Sequence, residues 1–260
     1  GDGSAEHFFS EFLMHTLLKL NCDLGESFGA WHMGLDSEVM PLIDQANIAC
    51  GFHAGDPTVL VRTLTLAKQH QVEIGAHPSY DDRQGFGRRS IKMPAEELKH
   101  LLWYQIAAVD GVAKSLGLEL SYVKPHGALY NDMMANPTLL ATVMQAVAGY
   151  HKSLKLMLLA SVSATEHKQL AKGYQLELLF EAFADRRYKT DGSLTPRSQA
   201  GSVLDHQAAL VQVKQLLQTG TVVSDTGDKV ALVADTLCVH GDNPAAVVLV
   251  KSIRQLLGGT

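Results

Sequence analysis

Cysteine is scarce in this chain, and the little there is forms no pattern. Cys22, Cys50 and Cys238 are an odd set without C-x-x-C spacing. That argues against a disulfide framework or a thiolate zinc site and fits a reducing, cytoplasmic compartment. Each lies at or near the end of a strand-like run, where a small buried hydrophobe fits well. No apolar run approaches the ~20 residues that span a bilayer, so no membrane protein is expected. A basic excess is missing as well: 22 Lys and Arg stand against 27 Asp and Glu, a formal charge of −5. Nothing therefore draws the chain to nucleic acid or anionic lipid. There is no G-x-x-x-x-G-K-[ST] loop for phosphates and no G-x-S-x-G elbow for a serine nucleophile. Nor does any low-complexity linker or break in composition divide the chain, so residues 14–260 read as one domain. Its 260 residues are close to the roughly 250 typical of a single β/α barrel.

Residues 1–13 (G-D-G-S-A-E-H-F-F-S-E-F-L) stand apart. They lack the basic start and long apolar core of a secretory signal. They read as a non-native or disordered leader, the alternative being an amphipathic helix that uses Phe8, Phe9, Phe12 and Leu13.

Strand-like runs recur at 17–22, 45–50, 72–76, 120–124, 155–160, 176–182 and 236–240. Helical spacing fills the intervals 58–69, 94–116, 137–150, 163–171, 204–217 and 244–257, and Pro94 is placed to open its helix at the N1 position. Alternation of this kind implies parallel strands with right-handed crossovers, and the count gives a barrel of seven units instead of eight. Two short β runs around Thr226-Gly227-Asp228, within 219–234, predict a hairpin inserted before the last barrel strand.

The chemistry collects where strands end. G-F-H-A-G-D (51–56), G-A-H-P-S-Y (75–80), V-K-P-H-G-A-L-Y (123–130) and C-V-H-G-D (238–242) place four of the twelve histidines on such turns. A β/α barrel builds its active site from turns of this kind on one rim. In N-C-D-L-G-E-S the i, i+2 spacing puts Asn21 and Asp23 on one strand face, the barrel interior, where polar groups are costly unless they are paired. Glu26 follows, balanced between a site residue and a capping carboxylate or Asx-turn at the start of residues 37–43. Asp56-Pro57 reads as a helix cap, which leaves His53 for function, with Asn47 able to orient it or its neighbours. After His77, the arginines Arg83, Arg88 and Arg89 could clamp a carboxylate or phosphate, or simply be solvated.

Lys124 and His126 flank Pro125 and are expected to converge on one substrate atom. A desolvated Lys124 would be either a base of depressed pKa or a fixed cation beside developing negative charge. Glu181 is expected to face the site from its strand, Asp185 and Arg186 could pair with each other, and Arg197 and His240 close the ring. Asp23, His53 and His77 also resemble an Asp-His-His set for a divalent ion. Against that, no H-x-x-x-H brings two ligands onto one helix, and Lys124 would add a second positive charge nearby. A divalent metal is left open.

These blocks, in this order, resemble the LamB/YcsF family from about Leu17 to Asp242. The resemblance is carried by N-C-D-L-G-E-S, A-N-I-A-C-G-F-H-A-G-D, G-A-H-P-S-Y, G-F-G-R-R, V-K-P-H-G-A-L-Y-N, F-A-D-R-R-Y, P-R-S-Q-A-G and C-V-H-G-D. Two residues depart from the family pattern: Lys19 where many members have Asp, and Asp81 where Pro usually follows H-P-S-[YF]. Lys19 touches only an outer carboxylate, and Asp81 is expected to loosen the arginine loop. The resemblance implies a barrel of the glycoside hydrolase/deacetylase type, often seven-stranded. It further implies an ATP-dependent 5-oxoprolinase in which this chain serves as the A component beside subunits B and C, with ATP as co-substrate. On that basis Asp23, His53, His77, Lys124 and His126 are the catalytic candidates, and Asn21, Glu181, Arg186, Arg197 and His240 the substrate contacts. Two other readings remain: a stand-alone metal-dependent amidase or deacetylase, and a substrate-binding subunit without catalysis.

Overall fold

A computed structural model describes residues 18–258. The strands are β1 (Lys19–Leu24), β2 (Gln45–Ala49), β3 (Glu73–His77), β4 (Leu120–Val123), β5 (Lys155–Leu159), β6 (Leu178–Phe183), β7 (Thr221–Val223), β8 (Lys229–Ala231) and β9 (Thr236–Val239). Strands β1 to β6 and β9 form a closed, wholly parallel barrel of seven strands, in which β9 pairs with both β6 and β1. The expected barrel strands are all present, each displaced by no more than two residues at an end. The segment 219–234 is an antiparallel hairpin, β7 with β8, outside the barrel. The leader read at residues 1–13, and Leu17 of the first expected strand, lie outside the described residues.

Helices pack around the barrel: α1 (Asp36–Val39), α2 (Pro57–Gln69), α3 (Ala95–Ser115), α4 (Gly127–Ala135), α5 (Pro137–Ala148), α6 (Ala164–Gly173), α7 (His206–Thr219) and α8 (Pro244–Leu256). Asp56 caps α2 as its sequence suggests, one carboxylate oxygen accepting from the Val59 amide at 2.8 Å. Pro94 differs from expectation. Its ψ of 149° is extended, so it is the N-cap of α3 and the helix begins at Ala95. Two helices fall outside the intervals of helical spacing, α1, which overlaps the capped segment 37–43, and α4. The first is a single turn that runs on into a 3-10 turn at Met40–Leu42. The second starts on Gly127, a residue that reads as turn, and is held by burial of Ala128, Leu129, Tyr130 and Met133. Among the described residues no helix is long and apolar enough to cross a membrane.

The strands alternate in the usual sense, but their inward face is polar. The outward residues Leu20, Cys22, Ile48, Ile74 and Ala76 join Leu64, Leu102 and Ile106 of the helices in one apolar core. Inside, Tyr122 donates its hydroxyl to Asn47 Oδ1 at 2.6 Å. Asn47 Nδ2 in turn donates to Asn21 Oδ1 and Asp23 Oδ1, both at 2.9 Å, and Asn21 Nδ2 donates to Thr236 Oγ1 at 2.9 Å. Asn21, Asn47, Tyr122 and Thr236 are all 0% exposed, so each hydrogen bond replaces one lost to water.

This ladder crosses β3 at Gly75, which sits in register between Asn47 and Tyr122. A Cβ built on Gly75 would overlap the Tyr122 ring. Gly75→Ala is therefore expected to destabilise the fold by at least ~1–3 kcal/mol, the usual cost of overpacking. Urea unfolding should show that loss, and adding Tyr122→Leu should recover part of it.

Candidate active site at the barrel mouth

Lys124 is the hub. It follows β4, is 3% exposed, and points its ammonium into the barrel. Nζ lies 2.7 Å from Glu181 Oε2 and 3.3 Å from both Asp23 Oδ1 and Asn21 Oδ1. Cys238 Sγ is 3.6 Å away. Glu181 is wholly buried on β6, and its other oxygen accepts from the Tyr130 hydroxyl at 2.8 Å. Burial opposes the charge on Lys124, but Asp23 and Glu181 outweigh it and hold the pKa well above the usual lysine value. Of the two roles open from sequence, the fixed cation is the one the geometry builds. Burial also opposes ionisation of Asp23, yet His77 and Lys124 keep its carboxyl well below the ordinary range. The thiols of Cys22 and Cys238 are driven up, chiefly by burial, as befits inert packing cysteines.

A second cluster adjoins the first. His77 Nδ1 contacts the Lys124 carbonyl at 2.6 Å, and His126 Nε2 contacts the Phe86 carbonyl at 2.7 Å. Their other nitrogens, His77 Nε2 and His126 Nδ1, lie 3.0 Å apart. Asp23 Oδ1 is 3.4 Å from His77 Nε2. His53 stacks on His126 with centroids 3.6 Å apart, and its Nε2 is 2.6 Å from Glu26 Oε2. Burial first, and the neighbouring histidines next, keep the pKa values of His53 and His126 low. Burial and Asp23 push the Glu26 carboxyl up to about 8. Gly87, with φ at +67°, brings the G-F-G turn against this stack, since an added Cβ would lie 2.8 Å from His126 Cδ2. Phe86 beside it holds φ at 55°, a conformation unusual for a bulky residue, and presents its carbonyl to His126.

Glu26, His53, His77 and His126 offer ligand atoms that all lie within 4.8 Å of one another, a set compatible with a divalent ion. The membership differs from the Asp-His-His reading. His53 and His77 stay, Glu26 and His126 join, and Asp23 turns toward Lys124 and Asn47. Lys124 and His126 take different partners, Glu181 and His77, in clusters that meet through Asp23, and both line the same cavity.

The mouth opens into a cavity of about 910 Å³, whose wall includes Asp23, Lys124, His126, Arg88, Arg197 and His240. Asn21 and Glu181, expected to touch substrate, are 0% exposed and lie beneath Lys124, where they hold it in place. The arginine loop divides. Arg83 donates to the carbonyls of Gly51 and Gly55 and lies 4.1 Å over the Phe28 ring. Arg89 pairs with Asp82, which also accepts from the amides of Gly85 and Arg89 and so ties the loop down. Arg88 alone of the three lines the cavity, over Phe86 at 5.3 Å. Arg186 also reaches the wall, but its Nη2 and Nε donate to the Thr195 and Ser202 carbonyls at 2.8 and 3.4 Å, tying the loop that carries Arg197. Asp185 pairs with His240 at 3.2 Å and not with Arg186. Lys19 pairs with Glu73 at the strand starts, the far end from Asp23. Sequence reasoning missed Tyr122 and Tyr130. V-K-P-H-G-A-L-Y contained the second, but nothing in its spacing pointed to Glu181.

The LamB/YcsF family model matches residues 18–259. A Vibrio cholerae protein named as the A component of 5-oxoprolinase is 53% identical over 241 residues, 92% of this chain and 97% of its own. A Pseudomonas fluorescens protein of the same name is also 53% identical over 241 residues, 92% of this chain and 96% of its own. Among solved structures, the lactam utilization protein of Thermus thermophilus superposes with a TM-score of 0.85 at 38% identity, covering 93% of this chain and 96% of its own.

Two outcomes follow from the charges. Lys124→Ala leaves Glu181 and Asp23 without their counter-charge and should destabilise the fold by about 3–5 kcal/mol. Lys124→Met combined with Glu181→Gln should recover much of that loss in urea unfolding. Burial works against the charge on His240, but Asp185 outweighs it and the pKa is raised. This pair should stabilise fully below the unfolded histidine value of about 6.5 and lose its effect as pH rises through the folded value. Unfolding midpoints of wild type and Asp185→Asn, compared from pH 5 to 9, should converge at the alkaline end.

Proposed function

The chain belongs to the LamB/YcsF family, and from that membership and the geometry of the mouth we propose that it is the A component of an ATP-dependent 5-oxoprolinase. It opens the lactam of 5-oxo-L-proline to L-glutamate, with ATP as co-substrate of the assembly and subunits B and C as partners. Relatives with that name cover nearly the whole chain, which supports the reading. The observation that carries it is the ammonium of Lys124, fixed 3.3 Å from the ionised Asp23 in the cavity wall.

A five-membered lactam is a resonance-stabilised, nearly unstrained amide, so water alone attacks it slowly. Transfer of the γ-phosphoryl group of ATP to the lactam oxygen forms an O–P bond and releases ADP. Water then adds to the carbonyl carbon and gives its proton to a base. The base returns that proton to the ring nitrogen as the C–N bond breaks and the nitrogen leaves as an amine, and a second water releases phosphate from the acyl phosphate. Lys124 stands where the oxygen gathers negative charge, positioned in advance by Asn21, Asp23 and Glu181. Asp23 takes the proton from water. His126 is unsuited to that step, because Nε2 is bound to a carbonyl and Nδ1 faces His77. Arg197 and His240 on the cavity wall bind the substrate carboxylate, and Arg88 faces the same space.

In the reconstituted complex, Asp23→Asn should lower kcat by ~10²–10⁴, the usual contribution of a general base, with circular dichroism unchanged. Glutamate and ADP release would be followed together. An unchanged kcat removes Asp23 from the mechanism. Lactam opening by this chain alone, without ATP, would replace the proposal with a stand-alone amidase.

A further inference from the structure

Two imidazole nitrogens face each other in the wall of the mouth, and in the neutral rings neither carries a proton. A carbonyl oxygen only accepts, so the 2.6 Å contact to the Lys124 carbonyl fixes a proton on His77 Nδ1. The 2.7 Å contact to the Phe86 carbonyl likewise fixes one on His126 Nε2. The nitrogens left over are acceptors, and they lie 3.0 Å apart. Asp23 Oδ1 adds a third acceptor 3.4 Å from His77 Nε2. Lone pairs gathered at one buried point repel one another unless a cation lies among them.

The cation is a proton or a metal ion, and three features favour the metal. The first is the backbone carbonyl on the far nitrogen of both rings. This is the arrangement that orients metal-bound imidazoles and raises their basicity. The second is His53. It is 1% exposed, stacked on His126, and its Nδ1 is buried without a partner. One proton shared by His77 and His126 would leave that nitrogen bare and would supply no charge to the Glu26–His53 pair, 2.6 Å apart beside it. The third is scale. Ligands of a tetrahedral zinc at 2.0–2.1 Å lie roughly 3.4 Å from one another. The donor atoms of Glu26, His53, His77 and His126 all lie within 4.8 Å, so small side-chain shifts complete the set.

We propose that Glu26, His53, His77 and His126 bind one divalent first-row ion of the zinc type. Three imidazoles and one carboxylate suit that class better than magnesium or calcium, which prefer oxygen alone. The positive charge of Lys124 is no obstacle. Asp23 Oδ1 lies between the two centres, 3.3 Å from Nζ and 3.4 Å from His77 Nε2, and Glu181 neutralises the ammonium from its other side.

The site stands independently of the lactam chemistry, and its test needs neither ATP nor partner subunits. The chain alone, stripped with a chelator and then equilibrated with Zn²⁺ or Co²⁺, should retain one ion per chain after desalting. Its thermal midpoint should rise, and Co²⁺ should give the visible bands of a low-coordinate site. His126→Ala should weaken retention by more than the roughly 10–100-fold that loss of an outer-shell partner costs. Glu26→Gln, at the partly exposed margin, should do so without disturbing the fold. If the folded wild type retains no ion and shows no thermal shift, or if both variants retain it unchanged, the site does not exist. Metal retained by a chain inactive in the 5-oxoprolinase assay would sink the functional reading and leave this one standing.

Discussion

A buried ammonium held between two carboxylates organises this molecule. Lys124 would shed its proton in an apolar barrel. Glu181 at 2.7 Å and Asp23 from the opposite wall hold its charge in place. Such a trio gains little net stability over apolar packing, because desolvation offsets most of the attraction. What it secures is position. The cation cannot move without leaving a bare carboxylate behind it, so the floor of the mouth is built before any ligand arrives.

The polar ladder inside the barrel serves the same end. Tyr122, Asn47, Asn21 and Thr236 link four strands through hydrogen bonds whose members are wholly buried. Each amide has both its oxygen and its nitrogen engaged. Asn47 therefore cannot rotate without breaking its bonds to Asn21 and Asp23, and Asp23 keeps one oxygen directed at both Lys124 and His77. That shared oxygen joins the two halves of the site. On one side lies a fixed positive charge suited to a developing oxyanion, and on the other a histidine cluster whose free nitrogens point inward.

Support from outside the cavity reaches the same residues through backbone. The carbonyls of Lys124 and Phe86 fix the tautomers of His77 and His126, and neither carbonyl depends on side-chain identity. The strained Phe86 and the close approach of Gly87 make sense in that light. The arginine loop is tied to Asp82 and to the carbonyls of Gly51 and Gly55, so only Arg88 remains directed at the cavity. Arg186 works in a similar way on the other side, fastening the loop on which Arg197 is carried.

Strand and helix periodicity, read with the residues that end each strand, determined the parallel barrel of seven strands, the hairpin before β9 and the gathering of Asp23, His53, His77, Lys124 and His126 at one mouth. Those features depend on local spacing, and spacing is written in the chain. Partnership is not. Glu181 lies 57 residues from Lys124, and Tyr130 lies 51 from Glu181, so only closure of the barrel could assign one to the other. The same holds for Asp185, which chose His240 over its neighbour Arg186, and for His126, whose Nδ1 meets His77 Nε2 from 49 residues away. Even helix α4 was decided this way, since its glycine start reads as a turn until burial of Leu129 and Met133 stabilises it. A sequence specifies which face a side chain takes, because that follows from backbone period; which atom it meets depends on register between distant strands, and that exists only once the barrel has closed.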